Sequence, residues 1–433
     1  MKKGGPMKTL IRNGHVLDPA TNKDGIYDVL LEDTIIKAVA AKIDEAADVI
    51  IEAKGHYVMP GFIDLHVHFR EPGFEQKETI RTGSMAAARG GFTSVCPMPN
   101  TMPVIDSVEM IDYIKRKEKE DSLVHLIPVG AVTKGQMGLF VNDIKAMAAA
   151  GMKAISEDGK SVMDSRVYRE AMLLAKEAGV TVLAHCEDKS LVNGGVMNQG
   201  EKASQLGLSG ISNAVEDIIV ARDILLAKET KAKLHLCHCS TKDSVSLVRW
   251  AKEQSLSVSA EVCPHHFTLS EEDILSDDAN YKMNPPLRSK IDVEALKQGL
   301  ADGTMDAIAT DHAPHTKEEK ELSMKEAPFG IVGLETAFAL TMTELVHTGY
   351  LSPMEMVACL SFRPAKILGI DKGTLLPGRA ADLVIADPKR EYKIQADSFV
   401  SKGKNTPFEG HHVFGTVLMT FVDGKIVYRE SMS

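Results

Sequence analysis

Two histidines stand at i and i+2 in Asp64-Leu65-His66-Val67-His68, after the apolar run Val58-Met59-Pro60-Gly61-Phe62-Ile63. On a strand, the period of two puts both imidazoles on one face and sends Leu65 and Val67 to the other, so the pair can converge on one cation. Imidazole suits zinc and related ions. Other apolar runs end in similar donors: Asp158 in Ser156-Glu157-Asp158-Gly159, His185 after Val182-Leu183-Ala184, His238 sharing parity with Leu234 and Leu236, and Asp311 after Ile308-Ala309-Thr310. Four neutral imidazoles and two carboxylates can seat two divalent ions close enough to share one carboxylate and one hydroxide, which is hydrolytic chemistry. Asp158 is the candidate bridge. Asp311 is the candidate general acid/base, ionised at rest beside the metal and able to carry a proton to a leaving nitrogen.

Each residue also has a plainer reading: Asp158 as an Asp-Gly turn, His185 as a core histidine, Asp311 as a helix cap. Glu157 has the opposite parity to Asp158. His235 faces away from His238 and reads as packing, and Cys237 and Cys239 also fall opposite His238, which makes them poor ligands. Lys153 would have to be carbamylated to bridge metals, and it lies near the start of its strand.

Positioning such a set needs elements that bring many strand ends together. Eight strand candidates alternate with helical stretches at 61–68, 92–99, 124–132, 152–157, 180–186, 232–239, 256–263 and 305–311; amphipathic helices include Asp164 to Ala178, Ala214 to Glu229 and Thr241 to Gln254. This beat predicts a (β/α)8 TIM barrel over 61–368 with its site at the C-terminal ends of the strands; a doubly wound open sheet is the weaker alternative. Both ends of the chain are β-rich. Thr9 to Arg12, a turn at Asn13-Gly14, Tyr27 to Glu32 and Val49 to Glu52 are matched by Ala381 to Ala386, Gly415 to Thr420 and Gly424 to Tyr428. Residues 7–60 and 369–433 are therefore expected to pair into one small β-sandwich.

The 433 residues are 44% hydrophobic with a net charge of -10, which argues against a nucleic-acid footprint. No apolar run approaches the roughly 20 residues that span a bilayer, and Met1-Lys2-Lys3 leads into Gly-Gly-Pro rather than a signal core, so a cytoplasmic protein is expected. Met1 to Pro6 read as a remnant ahead of a better start at Met7. Six cysteines without a CxxC pair do not make a disulfide framework.

With donors at 66, 68, 158, 185, 238 and 311, the chain resembles the amidohydrolase superfamily from Met7 onward. More narrowly, it resembles the class I bacterial dihydroorotases. The strings that carry the likeness are Asp64 to Gly73 (DLHVHFREPG), Pro97 to Thr101 (PMPNT), Lys282 to Arg288 (KMNPPLR) and Ala309 to His315 (ATDHAPH). The resemblance implies two zinc ions bridged by Asp158 and a hydroxide, where related hydantoinases use a carbamylated lysine. It implies reversible cyclisation of N-carbamoyl-L-aspartate to L-dihydroorotate in pyrimidine synthesis, with Asp311 as general acid/base. It also implies a substrate carboxylate clamped by Arg70, Asn100 and His315, and ring amides bound by Asn284 and the backbone of Pro328, Phe329 and Gly330. A guanidinium can grip a carboxylate bidentately, and Arg70 shares strand parity with His66 and His68. The charged run Thr316 to Lys325 reads as a solvated helix by default and, from its place over the mouth, as a mobile lid. His265 and His266 follow Cys263-Pro264 in a loop and read as structural. Competing readings are a hydantoinase or allantoinase, against which Asp158 and Arg70 speak, and a catalytically dead scaffold of aspartate transcarbamoylase, against which the full donor set speaks. A homodimer is the base-rate expectation, and association with aspartate transcarbamoylase is a further candidate.

Overall fold

The computed structural model describes residues 6–431; of the stretch Met1 to Pro6 read as a remnant, residues 1–5 lie outside the described residues. Eight parallel strand positions follow the expected order: Phe62–Val67, Phe92–Pro97, a third broken into His125–Leu126 and Val129–Ala131, then Ala154–Ser156, Thr181–Ala184, Leu234–Leu236, Val258–Val262 and Ala307–Ile308. The break falls at Ile127-Pro128, where proline has no N–H for the ladder. The ring closes where the His68 N–H donates to the His312 carbonyl at 2.8 Å and Val67 bridges His312 in parallel. This is a TIM barrel.

Local chemistry explains the intervening helices. Ser165–Ala178 starts on the Asp164 carboxylate, which accepts from the N–H groups of Arg166 and Val167, and stops at Gly179 in the left-handed region. Lys242–Glu253 is capped by Thr241, whose hydroxyl accepts from the Ser244 N–H. The strands are shorter than their apolar runs suggested, because the last residues leave the ladder to line the mouth.

The two ends of the chain share one hydrogen-bonded sheet of eight strands. Tyr57–Pro60 pairs antiparallel with Leu383–Lys393 and parallel with Lys8–Asp18. The sheet curls until Ile35 bridges Ala380, and its concave face encloses Ile11, Val29, Ile36, Leu383 and Phe421. The expected turn at Asn13-Gly14 is instead a bulge inside one long strand, Lys8–Asp18. Asn13 takes φ 57 with its N–H donated to the Asp28 carboxylate, and a Cβ at Gly14 would lie 2.4 Å from Val58 Cγ2. No helix among the described residues is long and apolar enough to cross a membrane.

Candidate active site

The six expected donors meet at the C-terminal mouth of the barrel. His66 lies on its strand; His68, Asp158, His185, His238 and Asp311 each stand one to three residues past the end of theirs. Asp158 is the hub. Its Oδ1 lies 3.1 Å from His66 Nε2, 3.3 Å from His185 Nδ1 and 3.7 Å from His238 Nε2, and its Oδ2 lies 3.4 Å from His68 Nε2. Asp311 Oδ1 lies 3.1 Å from His68 Nε2 and 3.5 Å from His66 Nε2. Although burial opposes it, the surrounding imidazoles hold both carboxyls below the usual carboxylate range, so both are anionic.

The expected parity accounts for only part of this. Leu65 and Val67 fall into separate apolar clusters, because pairing with Phe92–Pro97 slips at Phe62/Ile63 and again at Asp64/Val67. Arg70, His238 and Asp311 all have positive φ, at 63°, 34° and 49°. Their direction comes from left-handed turns beyond the strands, a costly backbone state for such residues.

A cavity of about 180 Å³ opens onto this set and is also lined by Arg70, Asn100, Asn284, Phe329 and Gly330. Asn100 joins two donors: its Oδ1 lies 3.0 Å from His68 Nδ1, and its amide N–H donates to Asp158 Oδ2 at 3.3 Å. Asn284 donates to Glu187, whose other oxygen lies 3.3 Å from His185 Nε2. Burial pulls Arg70 down to about 10, which leaves it charged at neutral pH. His315 and Pro328 do not line the cavity directly. His315 Nδ1 accepts from Lys77 and its Nε2 lies 2.8 Å from the Phe329 carbonyl. Burial, reinforced by Arg70 and Lys77, keeps His315 neutral. A larger cavity of about 330 Å³ opens beside Arg89 and Tyr392, but Arg89 is already paired with Glu335 at 3.0 Å there; the convergent donors single out the mouth.

Other expectations resolve differently. Lys153 is exposed, and Glu157 is occupied by the N–H and hydroxyl of Thr133. The run Thr316 to Lys325 contains only a short helix, Lys317–Lys320, and is not a purely solvated face: Lys320 is buried and Glu319 pairs with Lys77 at 2.7 Å. His235 does more than fill space, since it binds Glu261 at 2.9 Å. Glu261 in turn approaches His66 Nδ1 at 3.4 Å and accepts the His238 N–H at 3.2 Å. The signal for Glu261 was a lone carboxylate inside the apolar strand Val258–Val262. Asn405, which donates to the carbonyls of Ala313 and Gly330, comes from the C-terminal segment and had no local signal.

The donor set suits a cation. His66 is fully buried, and although carboxylate oxygens of Asp158 and Glu261 lie 3.1 and 3.4 Å from its ring nitrogens, neither nitrogen makes a well-directed hydrogen bond. An imidazole left in that state is costly unless something binds it. Two triads, His66/His68/Asp311 and His66/Asp158/His238, each offer ligand atoms within 4.8 Å of one another.

The closed barrel carries buried imidazoles and carboxylates at its C-terminal mouth, a set suited to hydrolysis, and its relatives make the chain a cyclic amidohydrolase. Among solved structures it is similar to L-hydantoinase (dihydropyrimidinase) from Arthrobacter aurescens, at 26% identity and TM-score 0.89 over 98% of this chain and 96% of that one. The dihydropyrimidinase of Brevibacillus agri is 25% identical with TM-score 0.86, over 98% and 95%. Residues 55–244 match the dihydro-orotase-like family. Nearly the whole chain, 98%, aligns with dihydroorotases of Pelotomaculum thermopropionicum (48% identical, 99% of that protein) and Caldanaerobacter subterraneus subsp. tengcongensis (46%, 98%). The chain belongs to the dihydroorotase family.

Proposed function

We propose that the chain catalyses reversible cyclisation of N-carbamoyl-L-aspartate to L-dihydroorotate and water, in pyrimidine synthesis. The convergence of four imidazoles on Asp158, with Arg70 on the same cavity wall, is the observation that carries this reading. His66, His68, Asp158, His185, His238 and Asp311 would hold two zinc ions. Bound there, such ions supply Lewis acidity at the ring carbonyl and a nucleophile at neutral pH.

The side chains divide the remaining work. In the hydrolytic direction the ring C–N bond breaks, the oxygen of water ends on the carbon, and a proton passes through the Asp311 carboxylate to the departing nitrogen. The anionic state of Asp311 equips it to accept that proton. Arg70 donates Nε to the Pro314 carbonyl and sets Nη2 against His315; its remaining N–H groups are suited to the substrate carboxylate. Asn100, besides joining His68 to Asp158, would add an amide to that clamp, and His315 would support it from behind. Asn284 and the backbone of Pro328, Phe329 and Gly330 would meet the ring amides. We assign 7–60 and 369–433 to the β-sandwich module and 61–368 to the catalytic one, and propose a cytoplasmic homodimer, with aspartate transcarbamoylase as a candidate partner on family grounds alone.

The test is metal analysis beside dihydroorotate hydrolysis for the wild type and Asp311→Asn. The variant is expected to keep its metal and lose turnover by about 10²–10⁴-fold. Unchanged turnover would refute the acid/base role. A metal-free, inactive wild type that added zinc does not activate would favour the scaffold reading, and turnover of a hydantoin in preference to dihydroorotate would favour a hydantoinase.

A further inference from the structure

Four consecutive carbonyls, from Ala327 to Gly330, are each held by a side-chain donor. Lys282 Nζ donates to Ala327 O at 2.5 Å, Lys320 Nζ to Pro328 O at 3.1 Å, and His315 Nε2 to Phe329 O at 2.8 Å; Gly330 O takes both Lys320 Nζ at 2.9 Å and Asn405 Nδ2 at 3.0 Å. Lys320 also reaches the Lys282 carbonyl at 3.3 Å, and that carbonyl accepts the Gly330 N–H at 2.9 Å. The Lys282 ammonium sits 4.3 Å from the centroid of the Phe329 ring. The two lysines thus grip one short segment through its main chain.

The segment they grip forms part of the cavity wall, through Phe329 and Gly330. Gly330 has φ 130, and a Cβ there would lie 2.6 Å from the Ala313 Cβ, so the backbone holds a shape that needs glycine and needs restraint. Lys320 is only 7% exposed, and its three partners are all backbone carbonyls. Burial, with Lys282 nearby, pulls its ammonium down to about 7. A lysine kept in that setting costs stability that an apolar residue would not. Its geometry accounts for that cost as positioning of the wall.

We propose that Lys320 is a positioning residue for substrate: together with Lys282 it presets the main chain of Ala327 to Gly330, so that Phe329 and Gly330 meet the cyclic amide without first having to be ordered. This rests on the dihydroorotase reading of the mouth, where those residues face the ring. Preordering of a binding wall acts on substrate affinity and leaves the metal donors untouched.

The experiment compares wild-type holoenzyme with Lys320→Met and Lys320→Gln, by hydrogen exchange without substrate and by steady-state hydrolysis of dihydroorotate. Exchange across 326–331 should accelerate in both variants while the barrel strands stay protected, and metal content should hold. KM should rise about ten- to a hundredfold, the range for losing buried hydrogen bonds to a charged group, with kcat within about threefold. Unchanged exchange at 326–331 in a folded variant would overturn the proposal, whatever the activity. So would a fall in kcat with KM unaltered. If Lys320→Met does not fold, the same two readings on Lys320→Gln decide. An inactive wild type would count against the dihydroorotase reading, and the exchange result would still judge the clasp.

Discussion

Two clusters of histidine and carboxylate sit at opposite ends of the barrel, and by ligand spacing either could hold a cation: the mouth set around His66 and Asp158, and His125 with Asp382 and Asp423 where the barrel meets the curled sheet. They differ in what already satisfies them. At the seam, Lys372 Nζ binds Asp382 at 2.5 Å, His125 lies 3.3 Å from Asp382 and 3.5 Å from Glu118, and the Asp423 side chain is 46% exposed. Although burial opposes it, Asp382 and Glu118 hold His125 at about 9, so it is a cation itself at neutral pH. At the mouth, among the described residues, no lysine pairs with Asp158 or Asp311, and four imidazoles crowd one carboxylate. Donor spacing alone does not define a metal seat; the counter-charge already present decides it.

That contrast can be broken most sharply at the hub. Asp158→Ala should lose bound metal and reduce hydrolysis to background, measured by elemental analysis beside the assay; retained metal would dissolve the distinction. Next in size, Arg70→Lys should cost roughly 1.5–3 kcal/mol in kcat/KM for dihydroorotate, because an ammonium cannot reproduce the planar fork. Glu261→Gln should weaken metal binding by about 10–100-fold, read by competition with a chelator, because it removes the carboxylate that orients His66.

The smallest effect belongs to the seam. His125→Asn should leave metal content and turnover intact and lower stability by on the order of 1–3 kcal/mol at pH 7. His125 is raised in the folded chain, so its contribution is complete below its ordinary value near 6.5, fades as pH rises and is lost above about 9. Melting curves of wild type and variant should therefore converge near pH 10. A gap that widens with pH, or a loss of metal, would contradict the assignment of the seam as a structural ion pair.

The donors at strand ends were legible because a βα repeat advertises itself locally: apolar runs set the strands, caps such as Asp164 and Thr241 set the helices, and the residue after each run falls at the mouth. The same locality limited the reading. Arg70 was assigned to the mouth by strand parity, yet the strand ends at Val67 and a left-handed turn aims it. Asn13-Gly14 has the composition of a hairpin turn and becomes a bulge, because Asp28 and Val58, distant in sequence, leave room for nothing else.

Residue types and their period alone determined the barrel and the six histidines and aspartates at its strand ends, since these depend on near neighbours along the chain; the carboxylate-bearing substrate was what the family resemblance implied. Only the tertiary structure decided that Asp158 is the hub of all four imidazoles, that His235 and Glu261 stand behind His66, and that Asn405 and Lys320 brace Ala327 to Gly330. Those relations follow from barrel closure between Val67 and His312 and from the return of the C-terminal segment over the mouth. They are long-range contacts between polar groups, and no periodicity encodes which buried donor will meet which acceptor.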